Sequence, residues 1–556
     1  MTDRIADISS SHPFLRPRSD NVFIPRHHGE VLIEPPAKAA VNYLRVPRGA
    51  DVHPQWKPLI HRARRDLYAL LPDPRRQRLP TSVASPDHTP ASSDLAGHEA
   101  GGPLVITGHQ VEFYHAGVWT KVLLADDLAQ QTGGTAVDIL VDHDTVDHLG
   151  LALPDKNGDG EWHKTWHTWA YGNAVAADGL SAPAPHIAAD WCDGILRSVA
   201  GSRVINPDAI SYFINGLRTP AHRDYVSWMD TARTAFEQKF GLHVHHVRSG
   251  ALCQSSAWLA FVALWISHYA QWTTIYNQAI EDYRRRHHIK SPARPMPPLD
   301  ASSTAVELPF WIYRRGNPRE RLSIKPGHRP IIVFGSQLIE LPMAGDDLLQ
   351  TADQWRQTLD ALDLCIRPRA LTLTMYVRTF LADLFIHGIG GAMYDEMTDQ
   401  IAAQIGLPIG GYLCASAGWL LPAGHANEIN VPSPSELKMR RHHLKHNPQL
   451  LYQHRSLPAA IEPLLAERSE LIAALASRPR HGDLAARAAR RRQFTRLHAI
   501  NAQCHQYSDA LTQIDRAIAA AESHEHQAVV LSDREYFFPL HGWDSLHQLQ
   551  HKIKGE

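Results

Sequence analysis

Residues 101–148 constrain the fold of this chain more than any other stretch, because they have the pattern of a strand, a helix and a strand in that order. An apolar run at 104–106 predicts a buried strand. Apolar residues at helical spacing over 118–130, ended by two glycines at 133–134, predict a helix. A second apolar run at 136–141 predicts another buried strand. Strands joined through a helix are typically parallel with a right-handed crossover, so we predict an α/β protein with a Rossmann-like parallel sheet as its core.

A polar cluster follows each of these strands. The first cluster is Thr107, Gly108, His109 and Gln110, and the second is Asp142, His143 and Asp144. Because the carboxyl ends of parallel strands meet at one edge of a sheet, we expect the two clusters to lie together there. Open α/β sheets bind their ligands at that edge. The sequence thus places the candidate site at the ends of these two strands.

A glycine-rich turn later in the chain offers a second binding segment. The apolar pair at 385–386 precedes the sequence Gly-Ile-Gly-Gly at 388–391, and residues 393–405 have the pattern of a helix. Backbone N–H groups at the start of a helix stabilise anions. Gly390 and Gly391 are therefore predicted to contact a phosphate group or another anion.

From residue 457 onward the hydrophobic spacing becomes that of a coiled coil. The first run of heptad positions is Leu457, Ile461, Leu464, Arg468, Leu471 and Leu475, and the second is Leu497, Ile500, Cys504, Tyr507, Leu511, Ile514 and Ile518. Spacings of three and four alternate along each run, which is typical of an a/d seam. We therefore predict an antiparallel coiled-coil hairpin of two helices. Because two helices leave part of a heptad face exposed, we also predict a homodimer formed through this hairpin.

The remaining boundaries depend on composition and turn signals. Residues 76–101 are rich in Pro, Ser, Asp and Gly, which predicts a mobile linker. The predicted organisation is an N-terminal segment over 1–100 with this linker, a Rossmann-like core over 101–433 with an inserted helical and connector region at about 160–330, the helical hairpin over 434–530, and a returning segment over 531–556. Within the insertion, residues 307–325 predict a β-hairpin with a Gly-Asn turn and an arginine-rich rim. Residues 534–540 of the returning segment are predicted to form a strand.

Composition argues against several classes of protein. The net charge is −1 over 556 residues, so there is no broad positive surface for nucleic acid or for an anionic membrane. The longest apolar run, at 258–266, is too short to span a bilayer, and the first residues lack the apolar core of a signal peptide. The five cysteines lie far apart without a Cys-x-x-Cys pair, as expected in a reducing compartment. These features predict a cytoplasmic protein whose partner is a small-molecule substrate.

The motifs at 104–144 resemble those of the bacillithiol biosynthesis cysteine-adding enzymes. That family carries a TGQQ-type loop after a strand, then a helix, then a strand that ends in an EDHD-type run. The matching residues here are Thr107, Gly108, Gln110, Asp142, His143 and Asp144. The departures are His109 in place of a Gln, Glu112 in place of a small residue and Val141 in place of the first Glu. The family's Pro-Asn-x-x-Leu segment and its Gly-Gly turn are matched by Pro368, Leu371, Gly390, Gly391 and Tyr394, and the family also ends in a coiled coil followed by a returning segment.

The resemblance implies a divergent carbon–nitrogen ligase that condenses a cysteine-like amino acid with an amine-bearing small-molecule acceptor. It implies ATP or ADP as the nucleotide, for which the candidate binding residues are Thr107, Gly108, Gln110, Gly390 and Gly391. The candidate catalytic residues are Asp142, His143, Asp144 and His109. A histidine whose pKa is raised by neighbouring carboxylates can transfer protons as an acid or a base. No metal is assigned to the site.

Two other function classes stay open on the residues alone. One is a metal-dependent hydrolase, in which His109, Gln110 and His115 would share a metal with the aspartates that follow the second strand. The other is a non-catalytic dimeric scaffold, suggested by the coiled coil. Nucleotide binding, bound metal or the absence of both distinguishes the three classes.

Overall fold

The computed structural model describes residues 15–46, 52–71, 102–158, 160–171, 174–302, 304–327, 331–342, 347–422, 432–452, 457–477 and 484–555. The predicted mobile linker at 76–101 lies outside these residues. The chain divides into two compact units. The first comprises Met1–Asp155, Lys164–Pro422 and Asp533–Glu556, and the second comprises Lys156–His163 and Ala423–Ser532. All residues of the candidate site belong to the first unit.

The strands are named in chain order. They are β1 (Glu30–Glu34), β2 (Leu104–Gln110), β3 (Thr135–Val141), β4 (His148–Lys156), β5 (Trp162–Tyr171), β6 (Val244–Arg248), β7 (Val306–Tyr313), β8 (Glu320–Lys325), β9 (Ile331–Phe334), β10 (Gln337–Ile339), β11 (Cys365–Pro368), β12 (Leu384–His387) and β13 (Gly411–Gly418).

The α-helices are named in the same way. They are α1 (Ala37–Leu44), α2 (Lys57–Leu70), α3 (Ala116–Thr132), α4 (Pro185–Gly201), α5 (Pro207–Leu217), α6 (Tyr225–Phe240), α7 (Ser249–Leu252), α8 (Ser256–Ser267), α9 (Tyr269–Arg286), α10 (Leu348–Ala361), α11 (Ala370–Tyr376), α12 (Ile389–Ile405), α13 (Pro434–His446), α14 (Glu462–Ala476), α15 (Leu484–Gln506), α16 (Ala510–Leu531) and α17 (Trp543–Lys554). Among the described residues, no helix is long and apolar enough to cross a membrane.

Within the described residues, six strands form the main sheet in the order β1-β13-β12-β2-β3-β6. Neighbouring strands are parallel, except that β1 is antiparallel to β13 at one edge. Helix α3 packs on one face, while Ile106, Val137 and Ile139 on the other face join a core cluster with residues of α8. The predicted α/β class with a mostly parallel sheet is confirmed, and the sheet is compatible with a Rossmann-like core.

β2, α3 and β3 form the predicted strand–helix–strand unit. The side chains at 104–106 are fully buried, as their apolar run requires. Helix α3 follows His115, whose Nδ1 accepts a hydrogen bond from the Gly117 amide at 3.1 Å. It ends at Gly133, where φ is 65°, a left-handed conformation that favours glycine. Local sequence signals therefore fix both ends of this helix.

Between β2 and β12 the chain changes the side of the sheet on which it adds strands. From β2 the chain adds β3 and then β6 on one side, and it later adds β12 and then β13 on the opposite side. Such a reversal is a topological switch point, where the connections leave the sheet in opposite directions and open a crevice outside the carboxyl ends of the strands. The end of β2 and the glycine-rich turn after β12 therefore border one crevice.

A second, antiparallel sheet carries the predicted hairpin. Its strands follow the order β10-β9-β8-β7-β11, and β7 and β8 pair as adjacent antiparallel strands. The turn between them brings Arg319 to the end of β3, with Nη1 2.8 Å from Asp144 Oδ1. The hairpin thus supplies a cation to the candidate site.

The second unit contains α13, α14, α15 and α16 rather than two long helices. Helix α14 packs on α15, and α13 packs on α16. Ile500 and Cys504 of the second heptad run pack with Ile461, while Ile514 and Ile518 pack with Leu437 of α13. The two halves of that run therefore face different partners, and the two-helix coiled-coil hairpin is not confirmed.

A local capping signal explains why the second heptad run is interrupted. Helix α15 ends at Gln506, and Ser508 Oγ accepts a hydrogen bond from the Ala510 amide at 3.2 Å as α16 begins. Serine and aspartate next to a helix start compete with helix continuation because their side chains bond the backbone. Here that preference outweighs the continuity of the heptad pattern.

The returning segment Asp533–Glu556 belongs to the first unit. The strand predicted over 534–540 is wrong: Phe537 makes an isolated bridge with His115, and Phe538–His541 form a turn of 3₁₀ helix before α17. A proline at 539 cannot donate to a strand ladder, which accounts for the short pairing. The aromatic side chains of 537 and 538 are buried instead.

Candidate active site

Asp142 is buried directly after β3 and accepts hydrogen bonds from the end of β6 and the start of α7. Arg248 Nε lies 2.8 Å from Oδ2, while Ser249 Oγ at 2.7 Å and the Gly250 amide at 2.6 Å donate to Oδ1. Burial acts to raise the pKa of Asp142, but the Arg248 guanidinium and the hydrogen bonds outweigh it and hold that pKa below its usual range. Asp142 is therefore an ionised carboxylate with a full set of donors.

His143 shares Ser249 with Asp142. Its Nδ1 lies 2.7 Å from Ser249 Oγ. The serine hydroxyl has one hydrogen, so when it donates to Asp142 it must accept from the Nδ1–H of His143. That assignment leaves the lone pair on Nε2, which makes no hydrogen bond to the described residues. His143 is thus held in the tautomer whose outer nitrogen can accept a proton.

The expected raised pKa of His143 is wrong. Burial, with the positive charges of Arg367 and Arg319, outweighs the attraction of Asp142 and Asp144 and lowers the pKa of His143 to about 4. Desolvation penalises the charged imidazolium more than the nearby carboxylates stabilise it. His143 is therefore neutral at pH 7, which is the form that acts as a base.

Asp144 joins the two polar clusters. Its Oδ2 accepts a hydrogen bond from Gln110 Nε2 at 3.2 Å, and its Oδ1 accepts one from Arg319 Nη1 at 2.8 Å. Arg319 Nη1 also donates to the His143 carbonyl at 2.8 Å. Burial acts to raise the pKa of Asp144, but Arg319 and the Gln110 hydrogen bond outweigh it and lower the pKa. The structure thus brings Gln110, Asp142, His143 and Asp144 together at one strand edge.

The first polar cluster lies within β2 rather than in a loop after it. β2 continues to Gln110, so that Thr107 and Gly108 pair with β3 in the ladder. The Thr107 hydroxyl donates to the Ile386 carbonyl of β12 at 2.9 Å. Helix α3 begins only at Ala116. The expectation that this cluster follows the strand is therefore wrong, because pairing with β3 extends the strand beyond its apolar run.

His109 points to the opposite face of the sheet from Gln110, as side chains alternate along a strand. Its ring lies 5.3 Å from the ring of Tyr114, and its Nδ1 lies 3.2 Å from the Gln110 carbonyl. Burial and the positive charge of Lys121 lower the pKa of His109 to about 3. His109 is therefore a neutral imidazole that is separated by the sheet from Asp144 and Arg319.

The glycine-rich segment, predicted as a turn before a helix that starts at 393, lies within α12, and Gly390 and Gly391 are in its first turn. The helix begins at Ile389, and its N-terminal residue Gly388 has no side chain to accept from the first amides. Those N–H groups have no acceptor inside the helix and face the carboxyl edge of the sheet. A Cβ on Gly391 would lie 2.5 Å from His387 Nδ1, whereas a Cβ on Gly390 would meet nothing within 4 Å. Of the two, only Gly391 lies where a side chain would clash with a neighbour.

His387 and Asp395 form a buried pair beneath this turn that the sequence analysis missed. His387 Nε2 lies 2.7 Å from Asp395 Oδ2, and Arg378 Nη1 lies 2.5 Å from the same oxygen. Burial acts to raise the pKa of Asp395, but Arg378 and His387 outweigh it and lower the pKa strongly. Burial lowers the pKa of His387 below its usual value despite Asp395. His387 thus presents a neutral ring beside the start of α12.

Lys121 is a further residue that sequence reasoning missed. Only 4% of it is exposed, and its Nζ donates to the Gly108 carbonyl at 2.7 Å. A Cβ on Gly388 would lie 3.9 Å from Lys121 Cδ, so the side chain runs between the end of β2 and the start of α12. Burial lowers the pKa of Lys121 to about 8. A lysine among apolar residues of a buried helix was the available sequence signal.

The surroundings of Asp142 and Asp144 are completed by Arg248, Ser249 and Arg319. Of these three, only Arg319 belongs to a segment that the sequence singles out. Arg319 lies in the hairpin whose arginine-rich rim the sequence predicts. Arg248 ends the short strand β6 and Ser249 begins α7, and neither belongs to a motif that marks it. Their contribution depends on β6 lying next to β3.

No group of three or more His, Cys, Asp or Glu side chains within the described ranges is arranged to hold a metal ion. His115, the histidine considered for such a site, is occupied at the start of α3 and lies 3.2 Å from Glu535 Oε2. A scan of the sequence against protein-family models finds no match, and a search of curated proteins finds none either.

Proposed function

We propose that this protein is a nucleotide-dependent carbon–nitrogen ligase that condenses a cysteine-like amino acid with an amine-bearing small-molecule acceptor. The proposal follows the resemblance to the bacillithiol biosynthesis cysteine-adding enzymes. The observation that carries it is the position of the site: the end of β2 and the glycine-rich turn after β12 border the topological switch point of the sheet, and the motif after β3 contacts the end of β2 through Gln110. Ligands of open α/β sheets bind there.

The proposed base is His143. In the reaction, the acceptor nitrogen forms a bond to the carboxyl carbon of the amino acid, an oxygen leaves with phosphate, and the nitrogen loses a proton. Nε2 of His143 takes that proton, while Ser249 and Asp142 keep the ring in the required tautomer. Asp144, held by Arg319 and Gln110, orients the incoming amine, which attacks in its neutral form and so loses only the one proton that Nε2 takes. Both carboxylates are ionised at neutral pH, as this role requires.

The proposed cofactor is ATP or ADP, bound at the other side of the crevice. The free amides at the start of α12, with Gly390 and Gly391, suit a phosphate group. Because its Nδ1–H points at the Gln110 carbonyl, the neutral ring of His109 offers Nε2 as an acceptor to a hydroxyl or amino group of the same ligand. Thr107, Gly108 and Gln110 support the site through the sheet rather than through free amides, since they are paired in β2.

The proposal extends to assembly and location. We propose a homodimer formed through the helical region and a cytoplasmic protein. The support for the second point is that Cys192, Cys253, Cys365, Cys414 and Cys504 are free thiols. Reduced cysteines are typical of that compartment.

The deciding experiment incubates the protein with ATP, labelled cysteine and a panel of amino-sugar acceptors, and measures ligated product and ATP turnover. We expect product from the wild type, little from His143→Gln and an unchanged yield from His148→Gln, an exposed histidine on β4. If no product or ATP turnover is found while bound metal and hydrolytic activity are, the metal-dependent hydrolase replaces this proposal. If neither nucleotide nor metal binds, the dimeric scaffold does.

A further inference from the structure

We infer that Lys121 is the cation of an anion-binding subsite at the switch point, which accepts a phosphate group between its ammonium and the start of α12. The inference rests on the proposed site and names a residue and a ligand class for it. Nothing in the sequence motifs assigns Lys121 a role.

The first line of support is the burial of an uncompensated charge. Lys121 Nζ has one hydrogen-bond acceptor, the Gly108 carbonyl at 2.7 Å, and no carboxylate of the described residues lies within ion-pair distance of it. Its nearest acidic influence is Asp138, which is paired with Arg233. Burying an ammonium without a counter-ion is costly, so an anion that reaches Nζ is strongly favoured.

The second line of support is independent and comes from α12. The aliphatic part of Lys121 passes next to Gly388, the residue that precedes the helix. Helix α12 has 17 residues and no side-chain cap, so its first amides and the helix dipole present positive charge to the same crevice. A phosphate oxygen placed there would accept from the amides and from Nζ together.

The third line of support is the character of the surrounding side chains. His109 and His387 both lie near enough to Lys121 for its charge to lower their pKa. Both rings are neutral, and each commits its single N–H to a protein acceptor, the Gln110 carbonyl for His109 and Asp395 for His387, so neither ring competes with Lys121 as the cation. Asp395, the carboxylate closest to His387, is paired with Arg378 and does not repel an incoming anion. The donors available to an anion in this crevice are therefore Nζ of Lys121 and the first amides of α12.

Close approach of a ligand also depends on Gly391. A side chain there would collide with His387 Nδ1, since its Cβ would lie at 2.5 Å. The absence of a side chain keeps the first turn of α12 open, and Gly390 and Gly391 are both exposed. The ligand enters from this side and meets Lys121 at the base of the crevice.

Calorimetry on the full chain with inorganic phosphate, ADP and adenosine tests the inference. Lys57, an exposed lysine of the same unit, provides the control. We expect the affinity for phosphate to be the same in the wild type and in Lys57→Met, and likewise the affinity for ADP. We expect Lys121→Met to weaken both ligands at least about tenfold, because charge-assisted hydrogen bonds are lost. ADP binding far tighter than phosphate identifies a nucleotide as the source of the group, and similar affinities identify the free ion. Unchanged affinity in Lys121→Met, or no binding of either anion to the wild type, overturns the inference.

Thermal unfolding without ligand gives a second readout that a structural lysine would not share. If the ammonium lacks a counter-ion, Lys121→Met melts at or above the temperature of the wild type and is no longer stabilised by added phosphate. A lower melting temperature together with retained stabilisation by phosphate assigns Lys121 to packing and overturns the inference. Product formation is measured separately. If anion binding depends on Lys121 but no product forms, this inference stands and the proposed ligase is removed. If product forms but Lys121→Met binds anions as the wild type does, the ligase stands and this inference is removed.

Discussion

His143 and Ser249 form the contact that fixes the chemistry of this site, with Nδ1 2.7 Å from Oγ. The serine hydroxyl accepts from the ring Nδ1–H and donates to Asp142, while the outer nitrogen of the ring stays unbonded within the described residues. If this contact orients the base, Ser249→Ala lowers turnover less than His143→Gln, and His143→Gln lowers it about 10²–10⁴-fold. Steady-state kinetics with circular dichroism as the folding check measures both, and equal turnover in wild type and His143→Gln contradicts the assignment.

The buried neutral state of His143 predicts how stability depends on pH. Its pKa is about 4 in the folded protein against 6.5 for an unperturbed histidine. The unfolded chain therefore binds the proton first as pH falls. The stabilising contribution is complete above pH 6.5 and is lost between 6.5 and about 4, by roughly 1.4 kcal/mol for each pH unit at most. Urea unfolding across this range should show a steeper decline for the wild type than for His143→Gln, and parallel curves would disprove the neutral state.

Asp144 and Arg319 should be coupled, because their ion pair joins two sheets of the first unit. Asp144→Asn is expected to lower turnover about 10²–10⁴-fold while the fold is retained. Arg319→Met leaves Asp144 without its strongest partner and raises its pKa, so the acid limb of the activity profile moves to higher pH. A pH–rate profile of the arginine variant tests this, and a profile that matches the wild type excludes the coupling.

The two glycines at the start of α12 make a matched pair for testing nucleotide binding. Gly391→Ala places a Cβ against His387 and should weaken ADP binding, whereas Gly390→Ala meets nothing within 4 Å and should leave it unchanged. Gly108→Val is a poor test, because its Cβ would lie 3.0 Å from the Ile139 carbonyl and disturb the sheet. Calorimetry with ADP decides the matter, and equal affinities for both alanine variants remove α12 from the nucleotide site.

Breaking the buried pair of Arg378 and Asp395 should cost more stability than breaking an exposed ion pair, because it leaves a buried charge uncompensated. Asp395→Asn leaves a fully buried guanidinium with reduced compensation, and we expect a loss of about 3–5 kcal/mol in the free energy of unfolding. Asp193→Asn, which breaks the exposed pair with Arg218, should cost under about 1 kcal/mol. Chemical denaturation of the two variants compares them, and similar losses would contradict the difference in burial.

The predicted homodimer needs a test that spares the helical core. Ile514 is buried against Leu437, so Ile514→Lys is expected to unfold the second unit rather than to separate copies. Light scattering of the wild type, with Leu484→Lys as an exposed variant, measures assembly directly. A single-chain mass for the wild type removes the homodimer.

The prediction of the central unit succeeded because its signals are local. Apolar runs, helical spacing and a glycine that ends a helix are all contained in about 40 residues. They gave β2, α3 and β3 in parallel, and they placed Asp142, His143 and Asp144 after the second strand. The end of β2 was misplaced because the length of a strand depends on how far a neighbouring strand pairs with it. The residues of β2 alone do not show where β3 stops pairing.

The sequence by itself determined the α/β class, the central strand–helix–strand unit and the glycine-rich start of α12. Only the tertiary structure decided which side chains meet. Arg319 reaches Asp144 across 175 residues of sequence, and Ser249 reaches His143 across 106. Tertiary burial also decided protonation, because desolvation of His143 outweighed the carboxylates that its sequence neighbours supply. Secondary structure follows from short-range patterns, whereas charge pairing and burial depend on distances that exist only once the sheet has formed.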